Sequence, residues 1–123
     1  MLVPNLYRIL NQQIEATIIR AELEVNATHE IFKGHFPSVP VLPGVCMVQC
    51  VKELIESSIE KKTRLDKADM IKFLSMLNPV ESNTITAEII IREKTDERIV
   101  FQASLKNKEH FLLKYSGSLF ILN

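Results

Sequence analysis

The sequence predicts an α+β domain in which an antiparallel sheet wraps around one long central helix. Residues 44 to about 61 form the longest run with helical spacing of apolar side chains. The last third of the chain alternates apolar and more polar residues at period two, as antiparallel strands do. Since 123 residues suffice for one hydrophobic core and not for two, we expect one domain over residues 1–123.

The first third predicts a short cap, a bent strand and a loop. Apolar residues recur at helical spacing in residues 1–12, which we interpret as a short helix or N-terminal capping segment. Period-two alternation over residues 14–25 predicts a strand, and its slip at residues 18–19 predicts a bulge or a strong bend. Residues 26–43 are rich in proline and predict a loop.

The helix has an apolar first half and an amphipathic second half. Gln49 is the only polar residue between residues 45 and 51, whereas polar residues share the helix with apolar ones from Lys52 onward. A polar connection at residues 63–67 and a strand over residues 68–77 follow. Three further strands, separated by turns at residues 94–98 and 107–109, bring the predicted total to about five. Their inward-facing residues are Ile85, Ala87, Ile89 and Ile91, then Ile99, Phe101, Ala103 and Leu105, then Phe111, Leu113, Tyr115, Gly117, Leu119 and Ile121.

The composition favours a globular protein of the cytoplasm. Lys and Arg total 15, as do Asp and Glu, and Trp is absent, which disfavours a nucleic-acid-binding surface. No apolar run approaches the roughly 18 residues of a membrane span, and we find no secretory signal pattern. Cys46 and Cys50 lie one helical turn apart, and we expect buried free thiols there. We expect neither a metal nor another cofactor.

The stretch from residue 31 to residue 53 carries the pattern most suggestive of chemistry. Gly34 allows a sharp turn that projects His35, and prolines at three-residue spacing stiffen the loop that follows. Pro43 then opens the helix, whose first amides, near Gly44, Val45 and Cys46, lack intrahelical partners. Those amides form an electropositive site that suits a carbonyl oxygen or an anion.

The motif GHFPSVPVLPGV, residues 34–45, resembles the signature of hot-dog-fold 3-hydroxyacyl-(acyl carrier protein) dehydratases. The resemblance extends over about residues 12–122, but only this motif is specific to the family. It implies a hot-dog fold and a catalytic base at His35. It also implies a Glu or Asp fourteen residues later on the helix, where this chain has Gln49.

Dehydration of a 3-hydroxyacyl thioester needs a base, a donor to the departing hydroxyl and support for the enolate oxygen. His35 suits the first task, because imidazole titrates near neutral pH. The Gly44 and Val45 amides suit the third. We assign Pro43 and Phe36 to the same substrate-binding region, although Phe36 is also expected to pack beneath the loop.

Gln49 leaves three interpretations open. It could begin the polar face of the helix, or orient the substrate hydroxyl or a water while His35 carries every proton. Alternatively, its presence could mark a broken dyad in a binding or accessory subunit. An amide hydrogen-bonds a hydroxyl but supplies no proton at accessible pH. Glu53, one turn further along the helix, is a candidate substitute acid that would act through a water.

Other candidate residues have simpler structural explanations. We expect His29 to be a solvated loop residue and His110 to lie at the surface in a hairpin turn. Met47, Val48 and Val51 are explained by the core, although an acyl tunnel would need the same apolar lining.

The predicted function is dehydration of 3-hydroxyacyl thioesters in fatty-acid-type biosynthesis, on acyl carrier protein or coenzyme A. The alternatives are an impaired acyl-binding subunit of a heterodimer and an acyl thioesterase. The resemblance implies sheets joined edge to edge in at least a homodimer, and a heterodimer partner could supply the missing carboxylate. Lys33, Arg64 and Lys72 are candidates for a basic rim that meets the carrier protein.

Overall fold

The computed structural model describes residues 4–33 and 40–123. These residues form one long helix and one antiparallel sheet of six strands, in the order β1-β2-β4-β5-β6-β3. The elements are β1 (Tyr7–Glu15), β2 (Ile18–Val25), α1 (Gly44–Ile59), β3 (Thr63–Phe73), β4 (Thr84–Lys94), β5 (Arg98–Asn107) and β6 (His110–Ile121), with a 3₁₀ turn at Glu30–Phe32. The predicted α+β class is confirmed, with six strands instead of about five.

The two ends of the helix are set by the backbone conformations of Pro43 and Glu60. Pro43 occupies the N-cap with extended angles (φ −61°, ψ 141°), and the helix starts at the next residue. The helix ends at Ile59, two residues before the predicted boundary at Lys61, and Glu60 forms the C-cap in the left-handed conformation (φ 55°). The helix buries six side chains against the sheet: Cys46, Met47, Cys50, Val51, Leu54 and Ile55.

Alternating residues of the sheet form the other side of the core. The buried hydrophobic side chains of the four central strands are Ile19, Ala21, Leu23 and Val25 on β2, Ile85, Ala87 and Ile89 on β4, Ile99, Phe101, Ala103 and Leu105 on β5, and Leu112, Leu113, Tyr115, Leu119 and Ile121 on β6. Phe101 and Tyr115 meet edge to face, with ring centroids 4.9 Å apart. Phe111 is partly exposed, against prediction, because the β5–β6 register shifts beside Leu105 and Lys106.

The predicted N-terminal helix is wrong for residues 7–12, which belong to β1. The expected single bent strand over residues 14–25 is also wrong, because a turn at residues 16–17 separates β1 from β2. Ala16 adopts a left-handed conformation (φ 48°) in that turn, a role in which Gly or Asn would have been the usual signal. A register irregularity between Ile9 and Asn11 breaks the period-two pattern of β1.

The strand predicted over residues 68–77 lies earlier, at Thr63–Phe73. It is the edge strand next to β6, mostly exposed, and two register irregularities interrupt its alternation. Its first residue is fixed to the helix by Glu56, whose Oε2 accepts hydrogen bonds from the Thr63 backbone N (2.6 Å) and Oγ1 (3.1 Å). Within the described residues, no helix is long and apolar enough to cross a membrane.

Candidate functional site

The N-terminus of α1 presents two backbone amides. The Gly44 and Val45 amides have no intrahelical acceptor by helix geometry, so they are available to an oxygen atom. The Cys46 amide, which the sequence predicts to be free as well, instead donates to the Pro43 carbonyl oxygen at 3.0 Å. Val45 is 71% exposed, so this end of the helix is accessible from outside the chain. The pair can stabilise a developing negative charge, as an oxyanion site requires.

Gly44 is also a packing position, which the sequence did not indicate. A Cβ built on Gly44 would stand 2.7 Å from the nearest ring carbon of Phe73, the last residue of β3. The missing side chain therefore makes room for the Phe73 ring.

Leu42 anchors the chain just before the helix begins. The Leu42 amide donates to the Leu77 carbonyl oxygen at 2.9 Å, and the Leu42 side chain is buried. This bond ties the residues before Pro43 to the segment after β3 and fixes the entry of the chain into the helix. The predictions for His35 and Phe36 fall outside the described residues.

Gln49 and Glu53 form one hydrogen-bonded pair on the helix. The Gln49 Nε2 donates to Glu53 Oε2 at 3.2 Å, across the one-turn spacing that brings side chains together. Both side chains are half-buried. Because the amide nitrogen faces the carboxylate, the Gln49 carbonyl oxygen is directed elsewhere and can accept a hydrogen bond from a hydroxyl. Gln49 is thus held by a carboxylate on the same face of the helix.

Tyr7 completes this cluster from the sheet, and the sequence interpretation missed it. Its hydroxyl donates to Glu53 Oε1, the oxygen that Gln49 does not use. Burial raises the pKa of Tyr7 far above its ordinary value, and neighbouring Cys50 and Glu53 raise it further. The phenol therefore keeps its proton and remains a donor. Recognising β1 as a strand would have been needed to find this contact.

The two helix cysteines are unreactive thiols, as predicted. Both are free and buried. Burial, reinforced by the Glu53 charge, raises the pKa of Cys50 to about 12 and shifts that of Cys46 upward for the same reasons. Since the thiolate is the nucleophile, neither is suited to covalent catalysis. In the part of the chain that the structure describes, no cluster of His, Cys, Asp and Glu side chains could hold a metal ion.

The two remaining histidines have structural or surface positions. His29 caps the 3₁₀ turn: its Nδ1 accepts from the Ile31 amide at 3.0 Å, and its Nε2 lies 2.8 Å from the Pro4 carbonyl oxygen. His29 is therefore more constrained than the solvated loop residue we expected. His110 is exposed at the start of β6, opposite Asn107, in agreement with the predicted hairpin turn.

A family model described as ApeI dehydratase, of the ApeI-like family, matches residues 11–114. The chain belongs to the ApeI-like dehydratase family. This match confirms the resemblance to hot-dog dehydratases that the residue 34–45 motif indicated.

Curated relatives agree with this assignment. The 3-hydroxyacyl-(acyl-carrier-protein) dehydratase FabZ of Fusobacterium nucleatum is 35% identical over 78 residues, 60% of this chain and 54% of the relative. The chain thus spans little more than half the length of that relative. FabZ of Streptococcus suis is 28% identical over 128 aligned positions, which cover 95% of this chain and 89% of the relative.

The fold is shared with the dehydratase heterocomplex ApeI:P from Xenorhabdus doucetiae. A chain of that structure aligns with a TM-score of 0.73 at 22% identity, covering 92% of this chain and 96% of the other. At this level of identity, the likeness establishes the hot-dog fold alone.

Proposed function

We propose that this chain dehydrates 3-hydroxyacyl thioesters, carried on acyl carrier protein or coenzyme A, to trans-2-enoyl thioesters. His35 removes the C2 proton, and the C2–H electron pair forms the double bond as the C3–O bond breaks. His35 then returns that proton to the departing hydroxide, which leaves as water. The Gly44 and Val45 amides hold the thioester oxygen while negative charge develops there.

The Gln49–Glu53 hydrogen bond supports this proposal most directly. It explains how the chain works with an amide where related enzymes have a carboxylate. Glu53 fixes the Gln49 amide, whose carbonyl oxygen accepts the hydrogen bond of the substrate 3-hydroxyl and aligns the C3–O bond. Both Glu53 oxygens accept hydrogen bonds, one from Tyr7 and one from Gln49, so Glu53 acts as an anchor and His35 as the proton carrier.

The test is hydration of crotonyl carrier protein and crotonyl coenzyme A by purified wild type, His35→Ala, Gln49→Ala and Glu53→Gln. We expect wild type to be active, His35→Ala to be inactive, and Gln49→Ala to lose about tenfold in kcat, the cost of one hydrogen bond. Glu53→Gln keeps an acceptor and should lose less than that. A loss of about 10²–10⁴ would instead assign Glu53 as the acid. An inactive wild type on both substrates would overturn the proposal, and release of free thiol would indicate a thioesterase.

The absence of a carboxylate at position 49 also favours a second candidate, an acyl-binding subunit that becomes active only with a partner chain. One neighbour in fold is itself described as a heterocomplex. In this case wild type alone is inactive, and addition of a carboxylate-bearing family member restores turnover. Gln49→Glu would then restore activity without the partner.

We propose further that the chain works as a dimer joined at β3. This edge strand exposes large apolar side chains, among them Leu65, Ile71 and Phe73. Unpaired edges with apolar side chains are ready-made pairing surfaces. Ile71→Lys should convert a dimer to a monomer in light scattering, and a monomeric wild type would contradict the proposal.

A further inference from the structure

Tyr7 reaches the helix cluster from a well-anchored position. It is the first residue of β1, paired with Val25 of β2. The preceding residue, Leu6, is buried, and its carbonyl oxygen accepts a hydrogen bond from the Asn26 amide at 2.7 Å. The backbone on both sides of the phenol is therefore fixed, and the ring extends from the sheet to the helix.

The Tyr7 hydroxyl and the Gln49 amide both donate hydrogen bonds to the Glu53 carboxylate. The Tyr7 hydroxyl donates to one oxygen of Glu53, and the Gln49 amide donates to the other. A carboxylate on a flexible side chain needs donors on both oxygens to be held in one orientation, because one donor alone leaves rotation about the last bond. Gln49 lies on the same helix as Glu53, whereas Tyr7, among the residues that the structure describes, constrains Glu53 from another element.

We propose that Tyr7 is a positioning residue that acts through Glu53 to fix the Gln49 amide at the reacting end of the substrate. This inference rests on the proposed dehydratase function for its kinetic consequence, though the hydrogen bond itself is independent of turnover. Within the described residues, the titratable groups that respond to the Glu53 charge are Tyr7 on β1 and Cys46 and Cys50 on α1. The pKa values of the phenol and both thiols are all raised, so these three groups stay protonated near neutral pH.

Tyr7→Phe removes the hydroxyl and keeps the ring. With crotonyl carrier protein as substrate, we expect kcat to fall about threefold to tenfold and KM to stay within about twofold. Tyr7→Phe in a Glu53→Ala background should cause no further loss, because the acceptor that links Tyr7 to Gln49 has been removed. The matched control is Tyr115→Phe, which removes a buried phenol hydroxyl from the opposite part of the core and should leave kcat unchanged.

A second measurement does not depend on activity. The side-chain carboxyl carbon of Glu53, observed by NMR across a pH series, should take up its proton at higher pH in Tyr7→Phe than in wild type, because one donor to the ionised form is lost. Additive kinetic losses in the double variant, or an unmoved Glu53 titration, would overturn the positioning role. If wild type has no turnover and the Glu53 titration still moves, the dehydratase proposal fails and the Tyr7 contact stands.

Discussion

Replacing Gln49 by glutamate should make the stability of the protein fall as pH rises. In wild type the Gln49 nitrogen lies 3.2 Å from Glu53 Oε2. In Gln49→Glu a carboxylate oxygen takes its place. At an effective dielectric constant of about 20, two unit charges at that separation repel by about 5 kcal/mol. Both side chains are half-buried, so the solvent screens only part of this repulsion, and the pair avoids the rest by binding one proton.

The sign follows from proton binding in the two states. The shared proton raises the folded pKa of one carboxyl in the variant above its unfolded value of about 4.3. Between those two pKa values the native state holds more protons than the unfolded state, so stability declines with increasing pH. We expect the free energy of unfolding of Gln49→Glu, relative to wild type, to fall by about 2 kcal/mol between about pH 4 and about pH 8.

Urea unfolding at a series of pH values measures this difference. Gln49→Glu combined with Glu53→Gln is the matched control, because it restores one carboxyl and one amide and should remove the extra pH dependence. A Gln49→Glu variant whose stability tracks wild type at every pH would refute the close contact. If the dehydratase proposal holds, the retained proton is available to the departing hydroxyl, and kcat should match or exceed that of wild type.

Two stability predictions follow from the sheet. Gly117→Ala should cost about 1–3 kcal/mol in urea unfolding, because its Cβ would stand 2.3 Å from the Lys67 carbonyl oxygen, a backbone atom that cannot turn away; an unchanged midpoint would contradict this. The Ser118 hydroxyl and the Arg98 guanidinium hold the pKa of Asp66 below its ordinary value. The ionised Asp66 carboxylate therefore adds to the free energy of unfolding above about pH 4, and this contribution is lost as pH falls. The difference in unfolding free energy between wild type and Asp66→Asn should therefore shrink in acid. A difference that is constant with pH would contradict the hydrogen bonds that Asp66 accepts from Ser118 and Arg98.

The helix and the last three strands were predictable because their signals are local. Pro43 followed by Gly44 marks a helix start by restricting the backbone itself, and the helix does begin there. The hairpin strands of the last third have both a buried and a solvated face, so alternation in sequence reports alternation in space. The motif at residues 34–45 indicated the hot-dog fold, which the family match and the solved structure then confirmed.

The two edge strands were misjudged because they bury little. β1 exposes most of its residues, and its irregular register lets apolar residues recur at a spacing that mimics a helix. β3 begins with a polar stretch, and what fixes its start is the Glu56 carboxylate from the helix, a tertiary contact. Edge strands need no continuous apolar face, so period-two patterns identify them poorly.

The site shows the same division between local and long-range information. The contact between Gln49 and Glu53 follows from helix geometry alone and could be anticipated once the helix was assigned. The contact between Tyr7 and Glu53 joins residues 46 positions apart and depends on β1 being a strand. A carboxylate held from two elements differs from one on an exposed helix face, because its orientation no longer depends on solvent. The described contacts therefore place Tyr7, Gln49 and Glu53 in one polar network that joins the helix to the sheet.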